Sequence, residues 1–211
     1  MFAVLIVVSC LTFWAVGQRG EVMVADVQRL GPDAGEPVAG YLQRAAESWR
    51  AGHSPRWALV QLDSYLMPEP AAELARGVRL SRVVVRVPLP RVQTALINRD
   101  LAGQRPVPEL VGALRSAMQD RLAVSQRVPG GRRAAVAAAE AEQLRHGCAC
   151  VLALLVFGDG DSLRAVAARP GVRALHAALP DTPIQNLAIS PLLPEQAGVV
   201  GPVPDDGPMP P

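Results

Sequence analysis

From Cys148 to Phe157 the chain reads CACVLALLVF, an almost unbroken apolar run. A run this short with no polar face fits a strand buried on both sides, which belongs at the centre of a sheet. Arg56 to Tyr65 reads as a second strand. Arg79 to Val87 is rich in Val and alternates with charge, so it is a third strand with one face toward water or a covering helix pair. Pro88 and Pro90 end it, because proline removes a ladder donor. Val172 to Ala177 is the last strand.

The strands are separated by helical segments. Val38, Tyr41, Leu42, Ala45 and Trp49 recur at helical spacing over 36–51, and Gly52 and Pro55 close that helix. Pro68 and Pro70 open a short helix that stops at Gly77. Residues 91–106 read mostly as loop. A helix from Pro108 to about Gln126, the turn Pro129-Gly130-Gly131 and an Ala-rich helix to His146 make an antiparallel hairpin. Asp161 or Ser162 caps a helix through Ala168. The segments AAELARGVR (71–79) and AVAARPGVR (165–173) match in kind: a helix end, a glycine stop and the opening of a strand. The resulting expectation is an α+β fold, a ferredoxin-like sheet of two β-α-β units with the helical hairpin, residues 107–146, inserted between its halves.

Met1 to Gly17 contains no charged side chain. It is close to the shortest helix that spans a bilayer core, about 17 residues, and it lacks the polar face of a surface helix. It therefore reads as an N-terminal apolar membrane helix, a transmembrane anchor or signal segment. Trp14 suits the interface, and Ala15 and Gly17 suit cleavage before Gln18. Arg19 and Arg29 follow the run and nothing basic precedes it, which on charge alone holds the domain inside. The commoner role of such a segment, export or signal anchoring, places the domain outside the cytoplasm, secreted if cleaved after Gly17. Val7-Val8-Ser9-Cys10 has the outline of a lipidation site, but the apolar run continues through Val16, so Cys10 reads as part of the span. The organisation expected is 1–17 anchor, 18–35 juxtamembrane linker, 36–179 α/β domain and 180–211 a Pro- and Gly-rich tail, extended or disordered.

The net charge is only +2, and acidic and basic residues are interspersed, so no nucleic-acid partner is expected. Every basic residue is Arg, which points to a high-GC genome. Aromatic residues make up 4% of the chain, so the core must be Val, Leu and Ala, with Tyr41, Trp49, Trp57 and Tyr65 at core or boundary positions.

Few residues offer chemistry. Gly160-Asp161-Ser162-Leu163 resembles the nucleophile block of GDSL hydrolases. That chemistry needs an activating His, and the sole later one, His176, has Arg173 where the family has Asp. Ser162 therefore reads as a helix cap. His146, Cys148 and Cys150 alternate, but along a strand His146 and Cys150 would stand about 13 Å apart, too far to share a zinc unless the chain turns at Gly147. Cys148 and Cys150 read first as small buried residues and second as a candidate redox pair. Arg127, Arg132 and Arg133 mark a solvated hairpin tip, and Asp205-Asp206 is too isolated for a metal. No catalytic, cofactor-binding or metal set is assigned, and no cofactor is expected.

Residues 163–175, LRAVAARPGVRAL, resemble the last helix and strand of subtilisin-type propeptides and related inhibitors, which are ferredoxin-like modules. In composition and layout the chain resembles uncharacterised small membrane-tethered proteins of high-GC Gram-positive bacteria. The resemblance implies a partner at the membrane, another envelope protein. The function expected is a membrane-tethered, non-enzymatic interaction or accessory module of the cell envelope. The alternatives are a thiol-disulfide activity at Cys148 and Cys150, and a protease inhibitor or propeptide-like chaperone.

Overall fold

The computed structural model describes residues 27–50, 52–127 and 130–208. The uncharged run Met1–Gly17 lies outside these residues. No described helix is long and apolar enough to cross a membrane. The elements in order are β1 (Gln28–Leu30), α1 (Val38–Arg50), β2 (Arg56–Leu66), α2 (Pro68–Leu74), β3 (Arg79–Val85), β4 (Ile97–Asp100), α3 (Pro106–Arg127), α4 (Gly131–His146), β5 (Val151–Gly158), α5 (Gly160–Ala167), β6 (Val172–Ala177) and β7 (Leu187–Ile189).

The fold is mixed α+β around a five-stranded antiparallel sheet of order β4-β3-β5-β2-β6. β5 is central, and Val151 to Val156 are wholly buried. β2, α2 and β3 form one β-α-β connection and β5, α5 and β6 another. In each, a strand of the other unit runs antiparallel between the two it joins. The α3–α4 pair is inserted between these units.

One sheet face carries Val60, Val83, Val85, Leu154 and Val156, packed against α2 and the α3–α4 hairpin through Ala71, Leu110, Ala117 and Leu144. The other face carries Leu59, Val84, Ala153 and Leu155 and is covered by Leu30, Leu187 and Leu193. α1 lies along the edge strand β6, with Tyr41 and Ala45 beside Ala174 and Leu192. There Ser48 Oγ accepts a 2.8 Å hydrogen bond from the Ala177 N–H, an edge donor that would otherwise face water. At the opposite edge, β4 ends in Arg99 and Asp100, charges that discourage further pairing.

Three expectations are corrected. Residues 97–100 are a strand, not loop; their sequence, INRD, is polar and short and carries no period to read. The segment after Pro180 is extended but not loose: β7 pairs in parallel with β1, and Gly35 and Val38 hydrogen-bond to Val200 and Gly198. Its prolines preclude a long ladder, yet an extended chain still covers apolar surface. The charged face of β3 meets water only at its start, where Arg79 is exposed and Arg82 part-exposed beside Asp100, and it does not meet the hairpin. Leu80 pairs with Val156 and Arg82 with Leu155, so Ser81 is an extra residue on β3. This bulge reverses the alternation beyond it. Val83 and Val85 turn to the hairpin, while Arg82, Val84 and Arg86 turn to the face under the C-terminal segment. Arg86 is 2% exposed.

Candidate functional site

The H-x-C-x-C string lies where α4 hands over to β5. α4 ends at His146, and Gly147 takes φ +81°, returning its N–H to the Leu144 carbonyl at 3.4 Å. A left-handed stop of this kind costs glycine nothing sterically. The chain then turns through Cys148 and Ala149, and β5 begins at Val151, later than the apolar run suggests. The sulfurs of Cys148 and Cys150 are bonded, with Cα atoms 5.3 Å apart. Cys150 is wholly buried, and its carbonyl accepts from the Arg86 N–H at 2.9 Å. Cys148 is part-exposed.

A disulfide across one intervening residue is a weak staple. In the chain-entropy model a loop of about three residues contributes only about 1.6 kcal/mol, against about 4.7 kcal/mol for a hundred-residue loop. Closing it does little for the fold.

Cys148 lines a cleft of about 380 Å³ between the start of α2, one face of α3 and the end of α4. Met67, Val111, Leu114 and Met118 supply its apolar surface, and Arg115, Arg145, His146 and Glu69 stand around it. Met67 is 41% exposed and Val111 38%, unusual for large apolar side chains in this chain. Glu142 is held below the usual carboxylate range, first by its hydrogen bond to Arg145 and then by His146, whose Nε2 is 2.6 Å from Glu142 Oε1. His146 is thus engaged with Glu142 at the surface and not gathered with the two cysteines. Among the described residues no group of His, Cys, Asp and Glu is placed to hold a metal.

The cleft is framed by a hairpin locked in place by one buried carboxylate. Glu140 on α4 is 0% exposed. Its Oε1 accepts from the Ala95 N–H at 2.6 Å and its Oε2 from Arg121 Nε of α3 at 2.6 Å. The sequence does not single this residue out: Glu140 is one of two Glu in an Ala-rich helix, two positions before the exposed Glu142.

Two other polar clusters fasten the C-terminal segment. Arg86 Nη1 bonds Glu195 Oε1 at 2.6 Å and also the Tyr65 hydroxyl. Burial, partly offset by the Arg86 charge, pushes the Tyr65 hydroxyl up to about 12. Gln61, wholly buried in β2, donates to the Tyr41 hydroxyl and accepts from the Leu192 N–H at 2.7 Å. His176 accepts a 3.0 Å bond from the Gly31 N–H at Nδ1. Burial holds its pKa down to about 4. Among the described residues no buried side-chain polar atom lacks a partner. The bonds Arg86–Glu195, Gln61–Leu192 and Gly31–His176 join residues 109 to 145 apart, which is why no local motif announced them.

The cap of α5 is Asp159, not Asp161 or Ser162: its carboxylate accepts the Ser162 N–H at 2.7 Å, and that bond lowers its pKa. Ser162 sits inside the first turn. His176 faces Gly31 and Tyr41 and is committed to them. At the hairpin tip Arg127 and Arg133 are exposed, while Arg132 reaches Asp205 at 3.0 Å and the Gly207 carbonyl at 3.1 Å. Asp206 pairs with Arg91. Tyr41 and Trp57 are core, and Trp49 and Tyr65 lie at its margin. Comparison with protein-family models, with curated proteins and with solved structures finds no match to this chain.

Proposed function

We propose that this protein is a membrane-tethered interaction or accessory module of the cell envelope, non-enzymatic in its main role. Its domain stands outside the cytoplasm and docks another envelope protein. The observation that carries the placement is the bonded Cys148–Cys150 pair, because disulfides persist in oxidising compartments and are rare in the cytosol. The uncharged Met1–Gly17 run supplies the tether or export signal in this reading. The likeness to small membrane-tethered proteins of high-GC Gram-positive bacteria agrees with it.

The fold that goes with this reading is ferredoxin-like. The order β3-β5-β2-β6 with two split β-α-β units supports it, with β4 as an added edge and α3–α4 as the insertion. The propeptide-like segment 163–175 falls on α5, its glycine stop and β6.

The test is labelling of intact cells that express the natural gene. After mild reduction, a membrane-impermeant maleimide reaches Cys148, and added protease digests the domain without lysis. Protection from both until lysis refutes the external placement. Capture of a subtilisin-type protease by the purified chain would favour the inhibitor or propeptide-like reading instead.

A further inference from the structure

We infer that the Cys148–Cys150 disulfide is a thiol-exchange site whose substrate is an extended, cysteine-bearing peptide segment with an apolar side chain next to its thiol. The inference goes beyond tethering and stands whether or not the chain is anchored.

Three observations carry it. The bond closes too small a loop to serve as a staple, so it contributes little to the fold and can accept two electrons at little cost to it. Its two sulfurs are unequal: Cys150 is wholly buried at the head of the central strand, and Cys148 is part-exposed on the wall of a cleft. An incoming thiolate is thereby directed to one sulfur, Sγ of Cys148. The cleft beside that sulfur has the surface a peptide side chain needs. Met67, Val111 and Met118 offer adaptable apolar contact, and Arg115 places positive charge at the rim beside the Arg145–Glu142 pair, which favours the thiolate form of an arriving cysteine.

The exchange proceeds by two displacements. A peptide thiolate attacks Cys148 Sγ, the Cys148–Cys150 bond breaks, and Cys150 leaves with the electron pair and takes a proton from solvent. A second thiolate of the same peptide then attacks the peptide sulfur of the mixed disulfide and expels Cys148, which takes a second proton. The peptide dithiol loses two electrons and two protons and becomes a disulfide; the protein disulfide gains them and becomes two thiols. One such transfer per molecule needs no other oxidant.

The experiment uses the full chain in detergent, in a Cys10→Ser background that leaves one cysteine pair. The probe is a reduced two-cysteine peptide with Leu beside each thiol. The expected result is one peptide disulfide per two protein thiols gained, read by mass spectrometry after maleimide capture. Cys150→Ser, mixed with the same peptide preactivated as a mixed disulfide with a small aromatic thiol, accumulates a peptide adduct on Cys148. Val111→Asp, an exposed position on the cleft, slows peptide oxidation at least tenfold while reduction by dithiothreitol keeps its rate. Reduction by dithiothreitol with no peptide oxidation above the protein-free rate overturns the inference, and so does an unchanged peptide rate in Val111→Asp. A loss of membrane attachment leaves these readouts unmoved and bears only on the tether.

Discussion

Replacing Arg121 by Met should cost more than removing the carboxylate that Arg121 binds. Glu140 is fully buried between α4 and the loop before β4, with two acceptor bonds, to the Ala95 N–H and to Arg121 Nε. Arg121 is 15% exposed, so its guanidinium has a path to water and Glu140 has none. Breaking a buried pair from one side costs about 3–5 kcal/mol, because the charge left behind is uncompensated. Partial access of solvent to Arg121 places Arg121→Met near the lower figure, about 3 kcal/mol. Glu140→Leu leaves an Arg free to turn outward and one backbone N–H without its acceptor, a loss of about 1–3 kcal/mol, and an apolar side chain in the hairpin core recovers part of it. The double variant should therefore be more stable than Arg121→Met alone. Urea unfolding followed by circular dichroism, closed as a double-mutant cycle, measures all three. An Arg121→Met loss below about 1 kcal/mol, or a double variant less stable than Arg121→Met, would show that the carboxylate is hydrated and that the pair does not lock the hairpin.

His176 is neutral in the fold, with a pKa held down to about 4, and its Nδ1 accepts the Gly31 N–H. Unfolding restores an ordinary value near 6.5, so between about pH 6.5 and 4 the unfolded chain binds the extra proton. The stability tied to neutral His176 is complete above about pH 6.5 and lost as pH falls toward 4. His176→Gln should flatten the urea midpoint across that window, and an unchanged slope would count against it. Gly31→Ala should prevent the β1–β7 pairing, since an added Cβ would lie 1.7 Å from the Ser190 carbonyl oxygen, and a variant with wild-type melting would contradict this. Asp159→Ala should lower the melting temperature while Ser162→Ala leaves it almost unchanged, the reverse order marking Ser162 as the cap. Leu154→Ala, at the centre of β5, should lose about 2–5 kcal/mol, and Leu154→Asp should abolish cooperative unfolding by circular dichroism; a folded Leu154→Asp would mean that β5 is not central.

Local sequence determined the elements whose signal is dense. The run behind Cys148 was legible as a buried strand because it is short, without a polar face and bounded by Gly147 and Gly158. The two glycine stops at Gly77 and Gly171 marked the ends of short helices, and the Ala-rich stretch marked α4, since each rests on interactions within a few residues. The positions of Cys148 and Cys150 were legible because they are local, though first as two small buried residues; that they are bonded comes from the structure. What only the tertiary structure decided depends on distant partners. The extra residue Ser81 turns Arg86 from an expected surface charge into a buried one, and nothing in the Val-rich run reveals a one-residue slip. The C-terminal segment looked loose because it lacks periodicity, yet Glu195, Leu192 and Ser190 meet Arg86, Gln61 and Leu30 from over a hundred residues away. The cleft beside Cys148 is likewise assembled from α2, α3 and the end of α4. A cysteine pair can be seen in a string of letters, whereas its unequal exposure and its apolar neighbours exist only once separate helices have packed around it.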